Sequence, residues 1–230
     1  MFRVDIDFAA TLAHPAFAVL AEAERARARS LRRHEDAMRH AATRAALRHV
    51  LAERTGVPAA AWRFDNDACG RPRFAPGSPG GSLAALDFNV AHAGSHGLIA
   101  IAHARRVGVD VEARDRSFDW RPLAPMVFAP RDADHVRALP ESRRCDAFFA
   151  AWTAKEALLK ALGSGLSAMA ARFSVLGDDA RPVALPAAPD NAPDAALDAL
   201  SRFDAAWCPV PAGYAACVAW SRDAAVGDRA

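Results

Sequence analysis

The chain has 230 residues, 52% hydrophobic and 24% charged, enough to bury one large core or two small ones. A net charge of +2 and a pI near 8.5 argue against a general nucleic-acid binder. Abundant Ala and the excess of Arg over Lys read as compositional bias of the genome.

The opening stretch MFRVDIDFAATLAHP has acids where a signal peptide carries its apolar core, and no run of about 18 apolar residues follows. Cys69, Cys145, Cys208 and Cys217 form no CxxC pair and no zinc-ligand spacing with histidine. A cytoplasmic protein with no membrane and no nucleic-acid partner is therefore expected.

From about Ala16 to Glu53 the chain lacks Pro and Gly and favours helix, first in the Arg-rich AEAERARARSLRRHEDAMR and then in the more apolar HAATRAALRHVLAE. Gly56 and Pro58 end it, and the Gly- and Pro-dense GRPRFAPGSPGGS reads as a loop. LIAIAHA and VGVDVEA read as strands joined by a tight turn near Arg105 and Arg106. Helix is expected from Ala133 to Leu162, with a break at Pro140. RPVALPAAPDNAPDAALDAL reads as an exposed loop with short strand pieces, and SRFDAAWCPVPAGYAACVAWS as a closing hairpin. Helix, loop and strands thus occur twice, which predicts an α+β fold of two similar halves, residues 1–107 and 108–230.

In VGVDVEA, strand alternation sets Val109 and Val111 on one face and Asp110 and Glu112 on the other, with Cα atoms roughly 6.6 Å apart. Carboxylates so placed repel unless protons or a cation sit between them, and a hard divalent ion suits them. Taken alone, the pair reads as the solvated face of an edge strand. Glu156 shifts that balance. On a helical wheel Phe148, Trp152, Leu159 and Leu162 form an apolar stripe, and Glu156 lies about 40° from Trp152, inside it. A surface pair with Lys160 at i+4 would place it at the margin. A buried carboxylate must be paired, protonated or metal-bound. Asp110, Glu112 and Glu156 are therefore candidate ligands of one metal ion, with Lys160 and Lys155 beside them to offset phosphate charge.

Further basic residues suit a phosphate-bearing ligand: Arg71 and Arg73 in GRPRF, His92 before AGSHG, and Arg25, Arg27, Arg29, Arg32, Arg33 and Arg39 in the first helix. Taken singly, the arginines read as a solvated helix face and His92 as a hydrogen-bonded structural histidine. His92 and His96 have HxxxH spacing, but their Gly-rich segment is non-helical and makes poor metal ligands of them.

GVDVE followed about 40 residues later by WTAKEALLK resembles the signature pair of the 4′-phosphopantetheinyl transferases, in their longer, monomeric Sfp type. Upstream, GRPRF, NVAHA and RRHEDAMR resemble further elements of that family in the same order, so the likeness runs from about Glu24 to Leu166. It implies a pseudo-dimer of two α+β halves with the active site in the cleft between them. It also implies transfer of phosphopantetheine from coenzyme A to a serine of an apo acyl or peptidyl carrier protein, releasing adenosine 3′,5′-bisphosphate. By motif match, Asp110, Glu112 and Glu156 would hold Mg²⁺ or Mn²⁺ on the pyrophosphate. Lys160 would contact the phosphates, and His92, Arg71, Arg27 and Arg39 would bind the nucleotide end. Glu156 or a metal-bound water would take the serine proton. One departure is Ala91-His92-Ala93, where the family carries serines: without a hydroxyl at 91 a phosphate contact is lost. A metal-dependent phosphodiesterase or nuclease, and a non-catalytic coenzyme A or carrier-binding module, are the competing expectations.

Overall fold

The computed structural model describes residues 1–68, 70–79, 85–164, 169–177, 185–186 and 195–223. The first half runs β1 (Phe2–Asp5), α1 (Glu22–Ser30) and α2 (His34–Thr55), then the short hairpin β2 (Phe64–Asn66) and β3 (Pro72–Phe74). It closes with the long hairpin β4 (Leu86–Ala93) and β5 (His96–His103). The second half opens with β6 (Val107–Ala113), followed by α3 (Ala124–Val127), α4 (Pro130–Ala138) and α5 (Glu141–Leu162). After them come β7 (Phe173–Ser174), β8 (Leu185–Pro186) and α6 (Ala195–Leu200), and finally the hairpin β9 (Phe203–Trp207) and β10 (Tyr214–Ser221).

The two halves share one plan. Their antiparallel sheets have the orders β1-β5-β4 and β6-β10-β9, so in each the opening strand pairs with the last. Each has a 22-residue helix, α2 or α5, ended by a glycine in the left-handed region, Gly56 (φ 74°) or Gly163 (φ 86°), where a Cβ would be strained. A two-stranded hairpin follows each. The fold is α+β.

Several local expectations change. The helix expected to run unbroken from about Ala16 to Glu53 breaks at residues 31–33, where Leu31 and Arg33 are extended. Arg25 donates to the carbonyls of Phe17 and Leu20, pinning α1 to the leading segment while α2 turns away. No Gly or Pro marks this break, so composition hides it. NVAHA forms the end of β4. Strands β5 and β6 do not pair: the link between them crosses from one sheet to the other, with Ala104 at φ 53°. Within the segment expected as a loop, residues 185–186 pair with β7 and residues 195–200 are helical. Its remainder, and the loop from residue 80 to 84, lie outside the described residues.

The halves meet where β4 lies against β6. Side chains, not a ladder, join them. The amide of Val109 donates to Asn89 Oδ1 and that of Val107 to Asp87 Oδ2, both at 2.8 Å. Ala91, Leu98, Ala100, Val107, Val109 and Val111 fill the seam. Helix α5 lies on β6 and β10, and Gly108 permits the contact: a Cβ there would come 2.5 Å from the Ala161 amide nitrogen and closer still to the Ala157 carbonyl oxygen. Both obstacles are helix backbone, which cannot swing aside. We expect Gly108→Ala to cost about 2–3 kcal/mol of unfolding free energy in urea denaturation, and Gly177→Ala, which meets open space, to stay within about 0.5 kcal/mol.

Candidate active site

Alternation along β6 buries Val109 and Val111 completely and sends Asp110 and Glu112 to the opposite side, as expected, but the strand is no solvated edge. It pairs with β10 and lies beside β4, and Asp110 is only 4% exposed. Helix α5 corrects the wheel. From Ala151 to Ala161 every residue is buried except Trp152, Glu156 and Lys160. These three follow one i, i+4 row, so Glu156 does not intrude on a buried face. It lies on the one open strip of this otherwise enclosed stretch, and that strip faces the acids of β6.

The Lys160 ammonium donates to Asp110 Oδ1 at 2.6 Å. Asp110 Oδ2 is buried and finds no hydrogen-bond partner in the protein. Burial pushes the Glu112 carboxyl up to about 7; Asp110 and Glu156 add repulsion, while Lys160 and a hydrogen bond from Trp152 oppose the shift. Burial likewise raises Glu156 to about 7, with Lys160 opposing and Asp110 adding to it. Burial also raises Asp110 against the pull of Lys160. Burial alone would lower Lys160, but the attraction of Asp110, Glu156 and Glu112 prevails and raises it. Among the described residues no group of three or more acids, histidines or cysteines closes into a metal cage. The acids are close enough to repel, and Lys160 sits on the first of them. Their chemistry fits a divalent cation: an orphaned buried oxygen and two carboxyls held partly protonated for want of positive charge. A cavity of about 240 Å³ opens beside Glu112, walled by Phe118, Leu123, Phe148, Phe149 and Trp152.

The basic residues divide. His92 is exposed at the end of β4, and Arg39 and Lys160 are near enough to repel its charged form; surrounding protein, first, and these charges hold its pKa below the usual value. Arg39 donates Nε to the Gly94 carbonyl and Nη1 to Asp36. His40, which sequence reasoning passes over, lies within electrostatic reach of Arg44, His92 and Arg27, and burial followed by these charges lowers it to about 4. Its Nε2 and Arg44 Nη1 are buried without a hydrogen-bond partner in the protein. The only trace in the sequence is their shared i, i+4 row on α2. Arg27, Arg39, His40, Arg44 and His92 thus form a basic group next to the acids.

Two expected ligand contacts fall elsewhere. Arg71 Nη2 is 2.8 Å from Asp87 and from the Phe88 carbonyl and 2.9 Å from the Val107 carbonyl, and Nη1 donates to the Lys160 carbonyl. Its terminal nitrogens are spent tying β4, β6 and α5 together. Lys155 is 1% exposed and donates to Asp132 at 2.6 Å and to the Val127 and Ala170 carbonyls. It is a buried structural ion, because the neighbouring position on the helix points into the core. Ala91 is buried in the seam while His92 faces out, so the hydroxyl missing at 91 belongs to the packed side.

Residues 106–218 match the family model described as the 4′-phosphopantetheinyl transferase superfamily, and residues 10–104 match the one described as 4′-phosphopantetheinyl transferase, N-terminal. The chain is 32% identical over 171 residues to the 4′-phosphopantetheinyl transferase HetI of a Nostoc species, covering 73% of this chain and 69% of that protein. It is 33% identical over 150 residues to the putative 4′-phosphopantetheinyl transferase slr0495 of a Synechocystis species, covering 65% of this chain and 59% of the relative. Among solved structures, an ACPS–CoA complex of Chronobacterium ammoniagenes aligns at 21% identity with a TM-score of 0.39, over 52% of this chain and 97% of that one. The chain belongs to the 4′-phosphopantetheinyl transferase superfamily and is an enzyme of the transferase class. Among the described residues no helix is long and apolar enough to cross a membrane.

The raised carboxyls set a pH dependence. Between 4.5 and about 7 the folded protein holds protons on Glu112 and Glu156 that the unfolded chain has released, so their contribution to stability falls as pH rises. The lowered His40 and His92 act in the opposite sense below 6.5, their ordinary value. From about pH 6.5 to about pH 8 the acids, titrating near 7, outweigh the fading opposition of the histidines, and the melting temperature of the metal-free protein should fall. Glu156→Gln should flatten that slope. A flat wild-type profile, or one that rises, would contradict the assignment.

Proposed function

We propose that this member of the 4′-phosphopantetheinyl transferase superfamily moves phosphopantetheine from coenzyme A to a serine of an apo acyl or peptidyl carrier protein, releasing adenosine 3′,5′-bisphosphate. The observation that carries this reading is the meeting of three carboxylates and Lys160 at the seam of the two halves, beside the basic group built around His92.

The serine oxygen attacks the β-phosphorus of coenzyme A, the bond to the oxygen bridging the two phosphorus atoms breaks, and the serine proton leaves. Asp110, Glu112 and Glu156 would hold the divalent cation, Mg²⁺ or Mn²⁺, which when bound supplies positive charge to the pyrophosphate. Lys160, fixed by Asp110 Oδ1, adds charge against the phosphates as it builds on the leaving oxygen. Glu156, ionised once the cation is bound, would receive the serine proton. Arg27, Arg39 and His92, with His40 and Arg44, face the 3′-phosphate end. The apolar cavity beside Glu112 gives the pantetheine arm a way out of the site. Arg71 and Lys155 act as scaffold.

Intact-protein mass spectrometry tests the reading. An apo carrier protein incubated with this protein, coenzyme A and Mg²⁺ should gain one phosphopantetheine, and a chelator should abolish the gain. Glu156→Gln and Asp110→Ala should each lower the rate at least about 100-fold with the fold retained. Unimpaired transfer by either variant would sink the metal assignment. Coenzyme A binding with no gain on fatty-acid, polyketide or peptide carriers would favour a non-catalytic module.

A further inference from the structure

Residues 93–96 form the turn that follows His92, and three distant groups hold it. Arg39 Nε donates to the Gly94 carbonyl at 2.7 Å. The His96 ring nitrogen Nδ1 lies 2.9 Å from Asp5. The third group comes from the other half of the molecule. The Ser95 amide donates to the Tyr214 hydroxyl at 3.1 Å, and the Ser95 hydroxyl lies 3.4 Å from the same oxygen. The Tyr214 ring meets the His96 ring edge-on, with centroids 4.7 Å apart.

Gly94 makes room for this contact. Its φ is 51°, and a Cβ there would come 3.0 Å from Tyr214 Cζ and closer still to the hydroxyl. Tyr214, the chain's only tyrosine, begins β10 opposite Ala113, and the next residue, Ala215, lies opposite Glu112. One side chain therefore joins the strand pair that carries the acids to the turn that follows His92.

We propose that Tyr214 is a positioning residue: its hydroxyl fixes the span between the basic group around His92 and the acids of β6, matching it to the distance between the 3′-phosphate and the pyrophosphate of one nucleotide. The inference rests on the transferase reading above. A ligand gripped at two ends loses affinity when the spacing between the grips loosens, even if neither grip is altered.

The test uses Tyr214→Phe in the full chain, with coenzyme A and its 3′-dephospho form as substrates and a carrier protein as acceptor. KM for coenzyme A should rise about fivefold, the weight of one neutral hydrogen bond, with kcat within about twofold of wild type. KM for the dephospho form should stay unchanged, since it has no 3′-phosphate for the basic group to hold. The Ser95 amide should lose hydrogen-exchange protection, a readout that needs no turnover. Gly94→Ala, which drives the ring from the turn, should give the same split between substrates. Equal rises in KM for both substrates, a loss confined to kcat, or unchanged protection of Ser95 would each overturn the proposal. If the wild-type protein transferred nothing, the transferase reading would fall instead, and Ser95 exchange would still decide whether the tether exists.

Discussion

Asp110, Glu112 and Glu156 face a seam where burial raises the cost of every negative charge, and Lys160 brings one positive charge to share among them. The resulting shortage governs the site. Two carboxyls titrate near neutrality, and one Asp110 oxygen has no partner in the protein. Charges are not kept in such a place for stability, because a metal-free protein would gain by losing them. The arrangement makes sense as a socket for a cation that arrives with a phosphate ligand.

The rest of the fold keeps that socket in shape. Asp110 and Glu112 come from β6 and Glu156 and Lys160 from α5, so the approach of strand to helix sets their separation. Gly108 allows that approach by removing the side chain between the two backbones. Arg71 reaches in from the first half, meeting the Lys160 carbonyl on the helix and the Val107 carbonyl on the strand. Asn89 and Asp87 hold the edge of β6 in place of a neighbouring strand. The basic group around His92 belongs to the first half and the acids to the second. A ligand touching both must span the seam.

That Asp110 and Glu112 share one side of β6 was legible because strand alternation is periodic and survives into the fold. The two-half plan was legible because helix, loop and strands recur in order. What failed depended on three-dimensional saturation. Arg71 and Lys155 look like free cations in the sequence, but each is enclosed by acceptors from distant segments, Asp87 and Val107 for one, Asp132 and Ala170 for the other. The wheel misjudged Glu156 because small residues, Ala151, Ala154, Ala157 and Ala161, let the C-terminal half of α5 bury nearly all its circumference, leaving no single apolar face to detect there. Tyr214 gave no signal and His40 only its i, i+4 spacing from Arg44, since Ser95 lies 119 positions from the one and His92 52 from the other.

The most direct test of the shared socket is proton release on metal binding. Mn²⁺ titrated into the protein at about pH 7, by calorimetry in buffers of differing ionisation enthalpy, should displace about one proton, because two carboxyls held near 7 must ionise to ligate the metal. Glu156→Gln should reduce that number. Binding with no proton release would mean that Glu112 and Glu156 are already ionised or stand apart from the metal, and it would contradict the account.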